Sequence, residues 1–304
     1  MSMNKKKKIM LMVVIAAVVM FAVSALAAGL NMSGYERLKT AGFKILEEFN
    51  NSDGPYSNGT YYADISAYID GAVYQHMELI SMFDGERKLS RESAYVDYGI
   101  NVSMTAAEQT SVTYFDNDIY CTWYDDGRFT EFPNTRLGRN PYANDLLEMP
   151  ARRGFVEAVA DALIGETRNF FINDGNVVSI SLSGNQIPEI AQYAIAAMAE
   201  DEARYTHDDD DIMLGPDARF SKGTMVVGLD GDELITDLKA SFEITSTVNG
   251  VPRILQFELN FRSKNVGTTV VDKPDGNKNG VPVFPSYEDD GPLGAAYVSG
   301  ADVS

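Results

Sequence analysis

Apolar and polar residues alternate along much of this chain. In residues 61–70, Tyr61, Ala63, Ile65, Ala67 and Ile69 interleave with Tyr62, Asp64, Ser66, Tyr68 and Asp70. That period of two predicts a strand with one apolar and one wet face. Asp70-Gly71 then predicts a tight turn into a second strand over 73–83. Further short strands are predicted at 94–98, 112–115 and 119–124, separated by Asp84-Gly85, Asp116-Asn117 and Asp126-Gly127. The clearest alternation comes later. Leu234, Thr236, Leu238, Ala240, Phe242, Ile244, Ser246 and Val248 share one face, and Ile235, Asp237, Lys239, Ser241, Glu243, Thr245 and Thr247 the other. Asn249-Gly250 is the preferred pair for a two-residue hairpin turn, so residues 251–262 return with Val251, Leu255, Phe257, Leu259 and Phe261 on the apolar face. Residues 225–229 join this ladder through Asp230-Gly231.

Three segments change period. Residues 33–49 are expected to be helical, with Ser33 as cap and Tyr35, Leu38, Gly42, Ile45 and Phe49 at spacings of three and four. Residues 151–170 predict a second helix through Phe155, Val159, Leu163 and Ile164. A strand over 177–182 runs into a third. There Ser183 and Gln186 stand at capping-box spacing, Pro188 suits the first turn, and Ile187, Ile190, Ala191, Ala194, Ile195 and Met198 form the stripe. Together these predict an α+β domain: a curved antiparallel sheet, or incomplete β-barrel, whose apolar concave face is covered by amphipathic helices.

The ends of the chain differ from its middle. Lys5, Lys6, Lys7 and Lys8 precede Ile9 to Leu30, a stretch without a charged residue. This predicts an export signal or an N-terminal membrane anchor in residues 1–30. Residues 9–30 are long enough to span the bilayer, while Ala25-Leu26-Ala27 suits cleavage. The expected location is therefore the cell membrane with an extracytoplasmic domain, or the exterior if the chain is cut near Ala27. Residues 31–271 make the folded domain. Residues 272–304, rich in Pro, Gly, Asn and Asp, read as a disordered tail.

The net charge of −19 argues against nucleic-acid binding, because the chain repels phosphates. The single cysteine, Cys121, precludes an internal disulfide, and its apolar neighbours Ile119, Tyr120 and Trp123 mark it as a small core residue.

The element order and three phrases resemble the LolA/LppX-like superfamily of bacterial envelope proteins. The phrases are Tyr61-x-Ala63-Asp64-Ile65-Ser66, Ser183-x-Asn185-Gln186-Ile187-Pro188, and the meander from Leu229-Asp230-Gly231 through Asn249-Gly250 to Phe257-x-Leu259-x-Phe261. The resemblance implies an incomplete barrel with helices against an apolar cavity, and in several members the carriage of lipids or lipoproteins. This chain lacks the cysteine that carries the lipid anchor of many relatives, and no functional position transfers residue by residue.

Catalytic signatures are absent: no HExxH, GxSxG, P-loop, GxGxxG or paired CxxC occurs. His76 reads as a half-exposed sheet residue. His207 beside Asp208, Asp209, Asp210 and Asp211 reads as a solvated loop, since consecutive carboxylates repel one another. Asp275 to Gly280 matches the first half of an EF-hand loop, but Ser286 stands where the bidentate Glu is required. The expectation is no catalytic residue, no cofactor, no metal ligand and no assigned ligand-binding residue. What remains is an exported, membrane-tethered binding protein for a lipid-like or other apolar small molecule. The alternative is a structural or sensory ectodomain that meets an envelope protein or cell-wall partner.

Overall fold

The computed structural model describes residues 34–48, 57–99, 106–116, 119–124, 128–133, 154, 158, 161, 165–205 and 214–271. The leader (1–30), the tail (272–304), the proposed cap Ser33, and Phe49 lie outside them. Most of the expected helix at 151–170 does too, although Gly154, Ala158 and Asp161 are described as helical. Its end departs from the expectation: Gly165–Phe170 is a 3-10 turn that leads into a strand.

Among the described residues, eleven strands form one antiparallel sheet in the order β6-β5-β4-β3-β2-β1-β11-β10-β9-β8-β7. They are β1 (Asn58–Ile69), β2 (Ala72–Asp84), β3 (Leu89–Asp97), β4 (Ala107–Asp116), β5 (Ile119–Tyr124), β6 (Phe129–Pro133), β7 (Ile172–Asp174), β8 (Val177–Ser183), β9 (Arg219–Leu229), β10 (Ile235–Val248) and β11 (Val251–Lys264). β1 is the seam. It pairs with β2 on one side and β11 on the other, joining the early meander to the final hairpins. Accumulated right-handed strand twist curls a sheet of this width, and it does not close into a barrel. Asp70-Gly71 and Asn249-Gly250 make tight hairpin turns, with φ of 51° and 82° in one and 52° and 78° in the other. Both residues of each pair sit in the left-handed region that such turns need.

Helix α1 (Gly34–Glu48) lays Tyr35, Leu38 and Ala41, all buried, over β7, β8 and β10. They pack with Val178, Ile180, Leu182, Met225, Val227 and Leu259. Its polar flank is tied down as well. Arg37 donates to both carboxylate oxygens of Glu233 at 3.0–3.2 Å and to Asn173 Oδ1 at 2.7 Å. Helix α2 (Glu189–Tyr205) seats Ile195 and Ala199 on Phe220, Phe242, Ile244, Leu255 and Phe257. Its start corrects the sequence reading. Gln186 Oε1 does accept from the Ser183 N–H at 3.0 Å, but that pair closes a separate 3-10 turn, Gly184–Gln186. The helix proper begins after Pro188, whose carbonyl takes the first helical hydrogen bonds from Ala191 and Gln192. No helix among the described residues is long and apolar enough to cross a membrane.

Two details of the faces also differ from the expectation. A register shift between Ile235 and Asp237 turns Ile235 into the core, where it is 6% exposed, rather than onto the wet face. In the meander the apolar side changes over. Leu89, Cys121 and Trp123 are buried on the face opposite the helices, with Met82 and Phe129 beside them. The cover there is residues 265–271, which cross the outer face after β11. Asn58 clamps this strap: its Nδ2 donates to the Thr269 carbonyl at 2.8 Å and its Oδ1 accepts from the Thr269 N–H at 2.7 Å. Val271 then enters the cluster fully buried. Cys121 is a core residue, as expected.

The 214–218 loop closes the far end of the helix-side core. Leu214 and Ala218 are buried in it, and Asp217 accepts from the Thr247 N–H at 2.6 Å and from its hydroxyl at 2.7 Å. Gly215 presses on the same strand so closely that a Cβ there would stand 1.8 Å from the Thr247 carbonyl oxygen. Gly215→Ala is therefore expected to cost about 1–3 kcal/mol, measured by urea unfolding, because backbone rather than a flexible side chain must yield.

Candidate apolar ligand site

The helices cover the half of the sheet formed by β7–β11 and β1. Strand alternation and register define what the same face presents on β2–β6. Next to the plugs come Met77 and Leu79 of β2, opposite Val96 and Ala94 of β3. All four are half-buried. Ile65 of β1 lies across from Met77 and touches both helix-side clusters. Tyr61, Phe83 and Phe261 bound this floor at one end, with ring centroids 5.8 Å and 6.1 Å from Tyr61.

Along the same strands, toward the Asn58 end of β1, the face becomes polar. Ser81, Glu92, Ser111 and Tyr124 form one row by register, and Ser90, Thr113, Thr122 and Thr130 the next. Thr113 and Thr122 share a hydrogen bond of 3.0 Å. Thr130 Oγ1 is buried without a protein partner among the described residues, and a buried unpaired hydroxyl is costly. Glu92 keeps contact with solvent, yet burial pushes its carboxyl above the ordinary value. Along β2 and β3 the face thus passes from methyl and thioether groups to hydroxyls and a carboxyl within a few residues.

Of the residues weighed from sequence, His76 lies on β2 on the opposite, outer face and is 27% exposed, the half-exposed sheet position expected. Its Nε2 is 3.4 Å from Asp64 Oδ2 and 3.6 Å from Glu78 Oε1. The hydrogen bond to Asp64 holds its pKa above the usual value against the opposing effect of burial. His207, Asp208 to Asp211, Asp275 to Gly280 and Ser286 lie outside the described residues. Sequence reasoning missed both the graded face and the His76 cluster. Each depends on register between strands, and the only local trace is the His-x-Glu pair at 76 and 78.

No family model matches the chain, and no curated protein matches it. Among solved structures, LprF from Mycobacterium bovis aligns over 78% of this chain and 98% of its own, at 7% identity and a TM-score of 0.26. A beta-barrel-like protein of a domain of unknown function from Brucella abortus aligns over 71% and 98%, at 9% identity and a TM-score of 0.17. The fold class expected from the sequence, an open antiparallel sheet with helices on one face, is the one observed.

Proposed function

We propose that this chain is an exported binding protein that holds a lipid-like amphiphile against the helix side of β1–β6. The supporting observation is the gradient across one sheet face. Met77, Leu79, Val96 and Ile65 suit acyl chains, and the Ser/Thr rows with Glu92 and the unpaired Thr130 hydroxyl suit a polar headgroup. Ligand sites combine an apolar lining with a few convergent polar groups in this way. The basic and apolar leader supports an extracytoplasmic domain, tethered through residues 9–30 or released near Ala27. The reading assigns no catalytic step.

Native mass spectrometry of the full chain, gently extracted from its own membrane, tests the binding. A bound amphiphile is expected in the wild type. Leu79→Glu should lower its occupancy roughly tenfold or more, since one buried leucine contributes about 1.5–3 kcal/mol. A ligand-free wild type that instead recovers a stoichiometric envelope protein in pull-down would favour the structural or sensory ectodomain.

A further inference from the structure

The outer face of the seam strand carries a second cluster that the apolar site does not use. β1 and β2 pair with Asp64 directly opposite Glu78 and with Ser66 opposite His76. His76 and Glu78, two residues apart, point to the same face. The small Ser66 leaves the imidazole free to lean diagonally toward Asp64. One ligand atom from each of Asp64, His76 and Glu78 falls within 4.8 Å of the others. The three side chains are shielded, with 15%, 27% and 22% exposure.

We propose that Asp64, His76 and Glu78 form a binding site for a divalent cation of the zinc class. The spacing suits it. At bonds of 2.0–2.1 Å, ligand atoms around a tetrahedral zinc stand about 3.3–3.4 Å apart, against 3.4 Å and 3.6 Å for the two measured pairs that include the imidazole. The charge suits it too. Two carboxylates and a neutral imidazole carry two negative charges, which one divalent cation cancels and one proton on His76 only halves. Asp97, opposite His76 on β3, adds to the negative field. The nitrogen ligand selects against calcium and magnesium, which take oxygen. Three protein ligands leave a fourth position for water, the open arrangement of reactive rather than purely structural zinc sites. The cation would sit at the junction of the meander and the final hairpins, bridging β1 and β2 where the two halves of the sheet meet.

The test is calorimetric titration of Zn²⁺ into the chelator-stripped full chain in detergent. It is done in a His207→Ala background so that the acidic loop does not contribute a histidine. Binding of one equivalent is expected, with at least tenfold weaker binding in His76→Ala and in Glu78→Gln. Zinc should also raise the melting temperature of the parent and not that of Glu78→Gln, because a ligand stabilises only the state that binds it. Glu78→Gln keeps the strand's shape and carries the test alone if His76→Ala fails to fold. Unchanged zinc affinity in both variants, or preferential binding of calcium over zinc, would overturn the assignment. So would the absence of binding in the parent. Each result is independent of whether an amphiphile is found on the other face.

Discussion

Phe242→Ala is expected to lower the unfolding free energy by about 3–5 kcal/mol. Phe242 is 2% exposed and lies where three elements converge. Its ring stacks on Phe257 of β11 at 5.0 Å and meets Phe220 of β9 edge-on at 5.9 Å. Ile195 and Ala199 of α2 close the cluster from above. Truncation leaves a hole that neighbours on two paired strands cannot collapse into without breaking the β9–β10–β11 ladder, so both the transfer and the cavity contributions are felt. For a domain of this size the melting temperature should fall by roughly 10 °C. Ile254→Ala is the control. It is 45% exposed on the outer face of β11, and its effect should stay within about 0.5 kcal/mol. Equal losses in the two variants, measured by urea unfolding, would mean that the helix side is not the principal core.

The contrast between these positions shows which parts of the fold were legible from residues alone. Phe242, Ile244, Leu255 and Phe257 follow the period-two rule between two hairpin turns, so their strands, their face and their mutual register could be read directly. Ile235 could not. A bulge changes parity without any residue that announces it. The meander failed differently. Leu89, Trp123 and Cys121 are apolar and strand-like, but which side they occupy is set by register carried across four strands and by a cover, 265–271, that arrives from the other end of the domain. Strands β6 and β7 are too short for periodicity to show. The same limit hid the candidate sites. Asp64 and His76 are neighbours only because β1 and β2 pair as they do. Ser90, Thr113, Thr122 and Thr130 form a hydroxyl row only through three successive pairings.

Lys39 is the least expected residue in the core, and it sets the second large effect. It lies on α1 one helical turn beyond Tyr35 and is 1% exposed. Its ammonium donates to Asp161 Oδ1 at 2.8 Å, and the Tyr35 hydroxyl donates to the same oxygen at 2.6 Å. Arg168 stands 5.8 Å over the Tyr35 ring. Burial, together with the hydrogen bond to Asp161, pushes the Tyr35 phenol well above its ordinary pKa, so it remains a donor at any working pH. Burial would raise the Asp161 carboxyl, but the hydrogen bonds from Lys39 and Tyr35 outweigh it and hold the group below the usual value. Asp161→Ala strands a buried ammonium and removes the acceptor of a buried hydroxyl. The expected cost is about 2–4 kcal/mol, at the low side for buried pairs because Asp161 itself is 40% exposed. Lys39→Met should cost much less, about 1 kcal/mol or under, since the remaining carboxylate can be hydrated. The pH dependence has a definite sign. A carboxyl whose folded pKa is depressed contributes stability above its unfolded pKa of about 3.9, and that contribution disappears as pH falls through the folded value. Urea unfolding at neutral pH and down through pH 3 should therefore show an acid loss in the wild type that is shallower in Lys39→Met. If Lys39→Met proves as costly as Asp161→Ala, the ammonium and its pairing with Asp161, and not the space filled by the lysine stem, are what the core requires.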